Sequence, residues 1–321
     1  MSICFKKILL FKFLKTYLTE SVIYSIIICM GHGIIVINPY LIPKESVLQA
    51  ERLKEEFESL NVSVEIVTDT FLHSKIENGK INSYLKDIDF AVYLDKDKYQ
   101  SQILESLGIK LFNSHDAIRV CDDKGTTYLA LVGKGVNLPK TIFGALCYNK
   151  DMPIDLKWAK KIADELSFPL IVKESFGSMG KGVYLAKNLD ELLSIMQEVK
   201  LKPHIFQQYL GKKKGVDIRV IVIGGTAVCA MERKNENDFR SNVAQGGSGT
   251  KVDLSPEFKE TAEKCACILG LDYCGVDLIF GDNNEPYVCE VNSNAFISGI
   301  EKATGFNVAR EYAKHIISKL K

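Results

Sequence analysis

The 321-residue sequence has almost no net charge: 41 lysines and arginines stand against 40 aspartates and glutamates, a formal charge of +1. A chain so balanced has no overall field with which to gather polyanions. Nucleic-acid binding through bulk electrostatics is therefore excluded, and any anion has to be held by a local cluster of cations. The sequence also lacks internal repeats and low-complexity tracts. With 46% hydrophobic and 25% charged residues, disorder, a collagen-like fibre and a multi-span membrane protein are excluded. Zinc-type spacing is missing too, since Cys265-x-Cys267 has no second cysteine or histidine pair to complete a site. The nine cysteines are scattered through apolar runs such as Ala227-Val228-Cys229-Ala230 and read as reduced core thiols of a cytoplasmic protein. No apolar run approaches the ~20 residues of a membrane span. The longest candidate, 22–30, follows Lys6, Lys7, Lys12 and Lys15 and stops at Gly31-His32-Gly33. Residues 1–30 read as an upstream extension or misassigned start rather than a peripheral anchor or a cleaved signal.

What is present is an alternation of short apolar runs and amphipathic stretches. Strands are expected over 34–37, 62–67, 90–94 and 110–113, with helices over 45–60 and 99–107, which makes 31–115 a small parallel-sheet α/β domain. A helical pair over 115–133 follows. The middle, 116–209, is then expected to run helix, strand, glycine-rich loop, strand, helix, strand. The last part, 210–321, opens with a hairpin turning tightly at Gly224-Gly225. A glycine-rich loop over 245–250, a helix over 256–269, a second hairpin and a C-terminal helix over 308–320 complete the chain.

The second hairpin carries the sharpest chemical signal. A two-residue turn at Asn283-Asn284 pairs residues whose numbers sum to 567, which sets Asp277 opposite Glu290 and puts Asn292 on the same face. Two like charges opposed in a sheet are destabilising unless a cation lies between them, and hard oxygen donors without histidine or cysteine suit Mg²⁺ or Mn²⁺. A hydrated pair at a hairpin base is the competing reading, and the hairpin alone leaves both open. Lys173-Glu174-Ser175-Phe176-Gly177-Ser178-Met179-Gly180-Lys181-Gly182 lies between two strand patterns and reads as a flap whose backbone N–H groups close over phosphate. It is neither a Walker loop nor a dinucleotide fingerprint, both of which open a helix. Lys124, Lys173, Arg219 and Arg233 interrupt or end apolar runs, where a cation commonly points into a cleft. Each alone is more simply a snorkelling or ion-paired side chain. Lys212-Lys213-Lys214 reads as a solvated loop.

In order, Asp123-Lys124, Val172-Lys173 with the glycine loop, Phe206-Gln207-Gln208-Tyr209-Leu210, Asp217-Ile218-Arg219, Met231-Glu232-Arg233, Phe239-Arg240-Ser241-Asn242, Gly275-Val276-Asp277 and Glu290-Val291-Asn292 closely resemble the RimK-like branch of the ATP-grasp ligases. The resemblance covers about 113–310. It implies an ATP-grasp fold, an α/β domain followed by two α+β subdomains that enclose ATP. It further implies that Lys124 and Lys173 contact phosphates, with Gly177, Ser178, Gly180 and Gly182 as the flap. Gln207, Gln208, Tyr209 and Leu210 become the adenine hinge, with Asp217 and Arg219 at ribose and phosphate. Asp277, Glu290 and Asn292 become ligands of two Mg²⁺ or Mn²⁺ ions. Arg233, Arg240 and Asn242 face the carboxylate or its acyl phosphate. The implied reaction joins an amino-acid or peptide carboxylate to an amine with ATP cleaved to ADP and phosphate. Glutamate is the favoured added unit, and a protein tail, peptide or cofactor the recipient. After Asn292 the chain departs from glutamate-adding relatives, with Ser293-Asn294-Ala295-Phe296 in place of a small residue, proline and glycine. A homo-oligomer is compatible with the sequence. A kinase on the same fold and a non-catalytic nucleotide-binding module are the rival classes.

Overall fold

The computed structural model describes residues 32–40, 44–241 and 246–320. Residues 1–30, read above as an extension, and Asn242 lie outside the described residues.

Strands β1 (His32–Ile37) and β2 (Ser63–Thr68) belong to the first sheet, and a small hairpin, β3 (Lys75–Glu77) with β4 (Lys80–Asn82), stands apart from it. β5 (Phe90–Tyr93) and β6 (Lys110–Phe112) complete a four-stranded parallel sheet in the order β2-β1-β5-β6. β1 and β5 are unbroken apolar runs because both faces of a parallel sheet are covered. Ile35, Phe90 and Phe112 face one core, while Ile34, Val36 and Leu111 face another. The hairpin β3–β4 was not legible in the sequence, since its strands are only three residues long and mostly exposed.

At the carboxyl ends of this sheet, the Tyr93 hydroxyl donates to Asp69 Oδ1 at 3.0 Å, and Asn38 Nδ2 donates to Asp95 Oδ2 at 3.0 Å. Asp69 is buried, with Oδ2 lacking any donor. Burial first, then the neighbouring Asp95 and Asp97, push its carboxyl up to about 8, against the pull of Tyr93. A proton held only in the folded state stabilises it fully below the ordinary carboxyl range, and this contribution is lost as pH rises through about 8. Thermal unfolding followed from mildly acidic to mildly alkaline buffer is expected to show Tm falling with pH in the native chain and a flatter profile in Asp69→Asn. Equal slopes would place the titration elsewhere.

The second sheet is antiparallel, β7 (Thr141–Phe143), β8 (Leu170–Glu174), β9 (Val183–Ala186) and β10 (His204–Gln208), in the order β7-β10-β8-β9. Helices Leu156–Leu166 and Leu189–Val199 share a core with it through Ile162, Leu192, Val172 and Phe206. Both helices start where the sequence offers a cap. Asp155 accepts from the N–H groups of Lys157 and Trp158, and Asn188 from that of Glu191.

The third sheet, β11 (Val216–Ile223), β12 (Thr226–Lys234), β13 (Ser248–Lys251), β14 (Tyr273–Phe280) and β15 (Pro286–Asn292), is antiparallel in the order β13-β12-β11-β14-β15. Gly224 and Gly225 turn the first hairpin at φ 57° and 83°, the left-handed values that a primed turn requires. The expected loop over 245–250 instead feeds β13, where Gly249 pairs with Arg233. Side chains alternate between two cores: Val220 and Val222 pack with helix Pro256–Ile268, Ile221 and Ile223 with the C-terminal helix Val308–Leu320. That second core is continuous with the first sheet. The helical pair His115–Asp122 and Lys124–Leu131 buries Ala117, Cys121 and Leu131 in the core of the third sheet, although it precedes the second sheet in the chain. Among the described residues no helix is long and apolar enough to cross a membrane.

Candidate active site

A cleft of about 930 Å³, open to solvent, lies between the second and third sheets. Its floor is set by strand register. β11 opposes Asp217 to Arg233 on β12 and Arg219 to Asp277 on β14, so each carboxylate meets a guanidinium across the ladder. Arg219 forks onto Asp277, Nε to Oδ1 and Nη2 to Oδ2, both at 2.7 Å. Arg233 forks onto Asp217 at 2.7 and 2.5 Å and reaches Asp277 Oδ2 at 2.8 Å. Burial alone would raise the Asp277 carboxyl pKa, but Arg219 and Arg233 hold it below the usual range.

Asp277 pairs with Glu290, and Gly275 with Asn292, as the sum of 567 requires. The route to that pairing differs from the expected one. Beyond Asp277 the register slips, so that Leu278 faces Val288 and Phe280 faces Pro286. The loop is the five residues 281–285 rather than a two-residue turn, and Cys289 is the extra residue of a bulge. The bulge lets the consecutive residues Cys289 and Glu290 both line the cleft, which a regular strand forbids. It is pinned by the Tyr128 hydroxyl, donating to the Cys289 carbonyl at 2.8 Å.

Two lysines arrive from opposite sides. Lys124, at the start of its helix, sets Nζ 3.4 Å from Glu290 Oε1 and donates to the Gly177 carbonyl at 3.0 Å. Lys173, on β8, lies with Nζ 3.5 Å from the Cys289 carbonyl and 3.6 Å from its Sγ. Burial favours the neutral form of Lys173, but Cys289, Tyr128 and Glu290 outweigh it and hold the pKa above the usual lysine range, so the ammonium stays charged. Burial, against the pull of Lys173, pushes the Cys289 thiol up.

The flap has Gly177, Gly180 and Gly182 at φ 145°, 75° and 69°, values that a side chain resists. Gly177, Ser178 and Gly180 line the cleft. Arg240 donates to the Gly180 carbonyl at 3.0 Å and forks onto Asp238, with Nη2 at 2.7 Å from Oδ2. Gln207, Gln208, Tyr209 and Leu210 line the far end beside Pro139, Ile171, Val183 and Ile279. This apolar wall was not singled out from the sequence, because its residues are indistinguishable there from core. Arg233 lines the cleft but is buried, with Nε and Nη2 paired to Asp217 and Nη2 also to Asp277. Lys212-Lys213-Lys214 is not simply solvated. Lys213 lies 3.7 Å over the Phe280 ring centroid, and Lys213 and Lys214 line the cleft. Lys212 Nζ donates to the Asp282 carbonyl. Overall, seven cationic side chains line the cleft against three carboxylates, so a chain of net charge +1 concentrates its cations here.

The donor set suits a divalent metal. Asn292 is part-exposed, and its side-chain carbonyl is the oxygen that would serve a cation. A carboxylate offers about four lone-pair directions, of which the arginines take three at Asp277. Among the described residues Glu290 has a single cationic neighbour within 4.0 Å, Lys124. Among the described residues no cluster of three or more His, Cys, Asp or Glu converges, and here the third donor is an asparagine.

A family model described as a RimK-like ATP-grasp domain matches residues 104–316. The chain belongs to the RimK-like ATP-grasp family. It is 38% identical over 216 residues to a "Probable alpha-L-glutamate ligase" of Maridesulfovibrio salexigens, covering 66% of this chain and 68% of that one. It is 35% identical to the human "Beta-citrylglutamate synthase B", over 71% of this chain and 58% of the relative. The chain thus spans little more than half the length of that human relative. Among solved structures, D-cycloserine synthetase DcsG superposes with a TM-score of 0.70 at 14% identity, over 91% of this chain and all of that one. D-alanine–D-alanine ligase from Bacillus anthracis, complexed with ATP, gives 0.69 at 22% identity, over 90% and 97%. These two likenesses establish the ATP-grasp fold. Ligation is the chemistry of the family, and membership carries with it the use of ATP and a divalent metal.

Proposed function

We propose that the protein is an ATP-dependent carboxylate–amine ligase that adds an amino acid, glutamate foremost, to a peptide, protein tail or cofactor in the cytoplasm. The observation that carries this reading is the opposed Asp277–Glu290 pair, with Asn292 beside it, in the wall of a cleft reached by Lys124, Lys173 and the glycine flap. ATP is assigned with its adenine against Gln207–Leu210 and its phosphates toward Lys124, Lys173 and the flap. Asp277, Glu290 and Asn292 are assigned to two ions, Mg²⁺ or Mn²⁺, which when bound neutralise phosphate charge. The donor carboxylate would attack the γ-phosphorus, ADP would leave, and an amine would displace phosphate from the resulting acyl phosphate. Lys124 and Lys173 would stabilise charge on the transferring group. Arg240, at the flap, is assigned to the carboxylate and its acyl phosphate, a pairing that guanidinium geometry favours. Closure of 177–182 would exclude water while the acyl phosphate waits for the amine. In this reading the units expected at 31–115, 116–209 and 210–321 enclose the substrates, with the helical pair of 115–131 riding on the third sheet. Offering amino acids singly with ATP and candidate carboxylates, and weighing products by mass spectrometry, is expected to give a mass gain of one amino-acid residue with release of ADP and phosphate. No gain from any amino acid would sink the proposal.

A further inference from the structure

The second hairpin presents Glu290 to the cleft only because its register is broken. Near the loop, Leu278 faces Val288 and Ile279 faces Tyr287. Carried inward without a bulge, that register would set Cys289 opposite Asp277 and Glu290 opposite Val276, a fully buried side chain in the core of the third sheet. The extra residue shifts the pairing by one, and a shift of one exchanges the two faces of a strand. Glu290 is thereby brought beside Asp277 on the cleft face and kept out of the core.

The bulge is held from outside the sheet. β15 is an edge strand, and Tyr128, buried on helix Lys124–Leu131, reaches it there. The Tyr128 hydroxyl lies 2.8 Å from the Cys289 carbonyl oxygen and 3.2 Å from that of Val288. Consecutive carbonyls of a regular strand point to opposite edges, so one hydroxyl reaches both only where the strand is bulged. Carbonyl oxygens only accept, which makes the hydroxyl the donor. Lys173 Nζ, 3.5 Å from the Cys289 carbonyl, is a weaker second donor at that distance. A cavity of about 220 Å³, bordered by Tyr128, Val288, Cys289 and Glu290, adjoins the bulge. Neighbouring atoms therefore do not close around it on that side, and the backbone has room to shift once the hydrogen bond is lost.

Resting on the metal assignment of the ligase reading, we propose that Tyr128 is a positioning residue for the metal site: by holding the bulge, it keeps Glu290 where that carboxylate can share a divalent cation with Asp277. It acts through the backbone of β15 and touches no reacting atom. The same helix opens with Lys124, whose Nζ lies 3.4 Å from Glu290 Oε1. One short helix thus supplies both a cation of the site and the hydrogen bond that sets the position of the carboxylate.

The test uses the full chain with ADP, and Mn²⁺ as the probe, its free concentration read by electron paramagnetic resonance well below the thermal midpoint. Tyr128→Phe removes one oxygen atom and is expected to weaken Mn²⁺ binding about tenfold, as loss of a group that orients a metal ligand does. Affinity for ADP without metal is expected to stay unchanged, and turnover lost at limiting metal is expected to return as metal is raised. Thr127→Val serves as the control. Its hydroxyl borders the same cavity but donates to the Val120 and Asp123 carbonyls and not to the hairpin, so Mn²⁺ affinity is expected to remain native. Native Mn²⁺ affinity in Tyr128→Phe, with or without a lowered thermal midpoint, or an equal loss in both variants, would overturn the assignment and leave Tyr128 a structural tie of the helical pair. If the native chain with ADP binds no Mn²⁺, the metal reading itself fails, a result separable from failure of Tyr128 alone.

Discussion

Glu290→Gln is expected to abolish ATP turnover, by about a thousandfold or more, while leaving the thermal midpoint nearly unchanged. The side chain is partly exposed and its cationic neighbour, the buried Lys124, lies 3.4 Å away and also donates to the Gly177 carbonyl, so neutralising Glu290 removes the proposed metal ligand while Lys124 keeps a partner. Asp277→Asn is expected to abolish turnover to the same degree and to lower stability as well. Asp277 is 2% exposed and shared by Arg219 and Arg233, the latter 3% exposed. Removing one member of a buried ion network leaves uncompensated charge and costs on the order of 3 kcal/mol. Asp217 still pairs with Arg233, which keeps the loss from growing further. Side-by-side measurement of turnover and thermal unfolding separates the two carboxylates. Turnover by the native chain in EDTA without added metal would refute the metal assignment, and equal destabilisation by both variants would refute the account of Asp277.

Much of this site is legible in sequence because strands transmit register. The period of two places Asp277, Glu290 and Asn292 together whatever the loop does, provided the count between them is right. The count came out right although the turn was misjudged, since the five-residue loop and the bulge at Cys289 offset each other. A bulge leaves no mark in composition, so the entry of Cys289 into the cleft could not be foreseen. The helices over 189–199 and 308–320 coincide with Leu189–Val199 and Val308–Leu320, because an amphipathic stripe bounded by a cap or a glycine is a local signal. Tertiary pairing is not local. Arg233 ends an apolar strand and has no partner visible in one dimension, so only the family resemblance gives it a role; its partner Asp217 lies opposite on β11. Lys213 is drawn out of the solvated loop by the Phe280 ring, 67 residues away. The helical pair of 115–131 was grouped with the domain it precedes, yet buries its apolar face against helix Pro256–Ile268 and the third sheet, a choice that periodicity alone cannot express.

Hydroxylamine, supplied in place of the amine with ATP and a competent carboxylate, is expected to trap a hydroxamate, because it attacks acyl phosphates readily and needs little from the amine pocket. Arg240→Ala is expected to reduce that trapping by about a hundredfold while changing ATP affinity only about twofold. The contrast follows from placement. Arg240 is part-exposed at the flap, held by Asp238 and the Gly180 carbonyl, so it has donors to turn toward a carboxylate or acyl phosphate. The hinge residues Gln207–Leu210 and the apolar wall that would hold adenine lie on other elements. Arg233→Ala is the informative counter-example. Buried between Asp217 and Asp277, it is expected to lower thermal stability and ATP turnover together, since its loss strips the buried Asp217 of its guanidinium and leaves Asp277 with Arg219 alone. If Arg240→Ala weakens ATP binding as much as trapping, the guanidinium serves the nucleotide and not the acyl group. If a broad screen of carboxylates gives neither hydroxamate nor amide, yet a hydroxyl compound becomes stably phosphorylated, the same cleft is that of a kinase. In that case the lysines and the metal hairpin keep their roles, and only the acceptor of the γ-phosphoryl group changes.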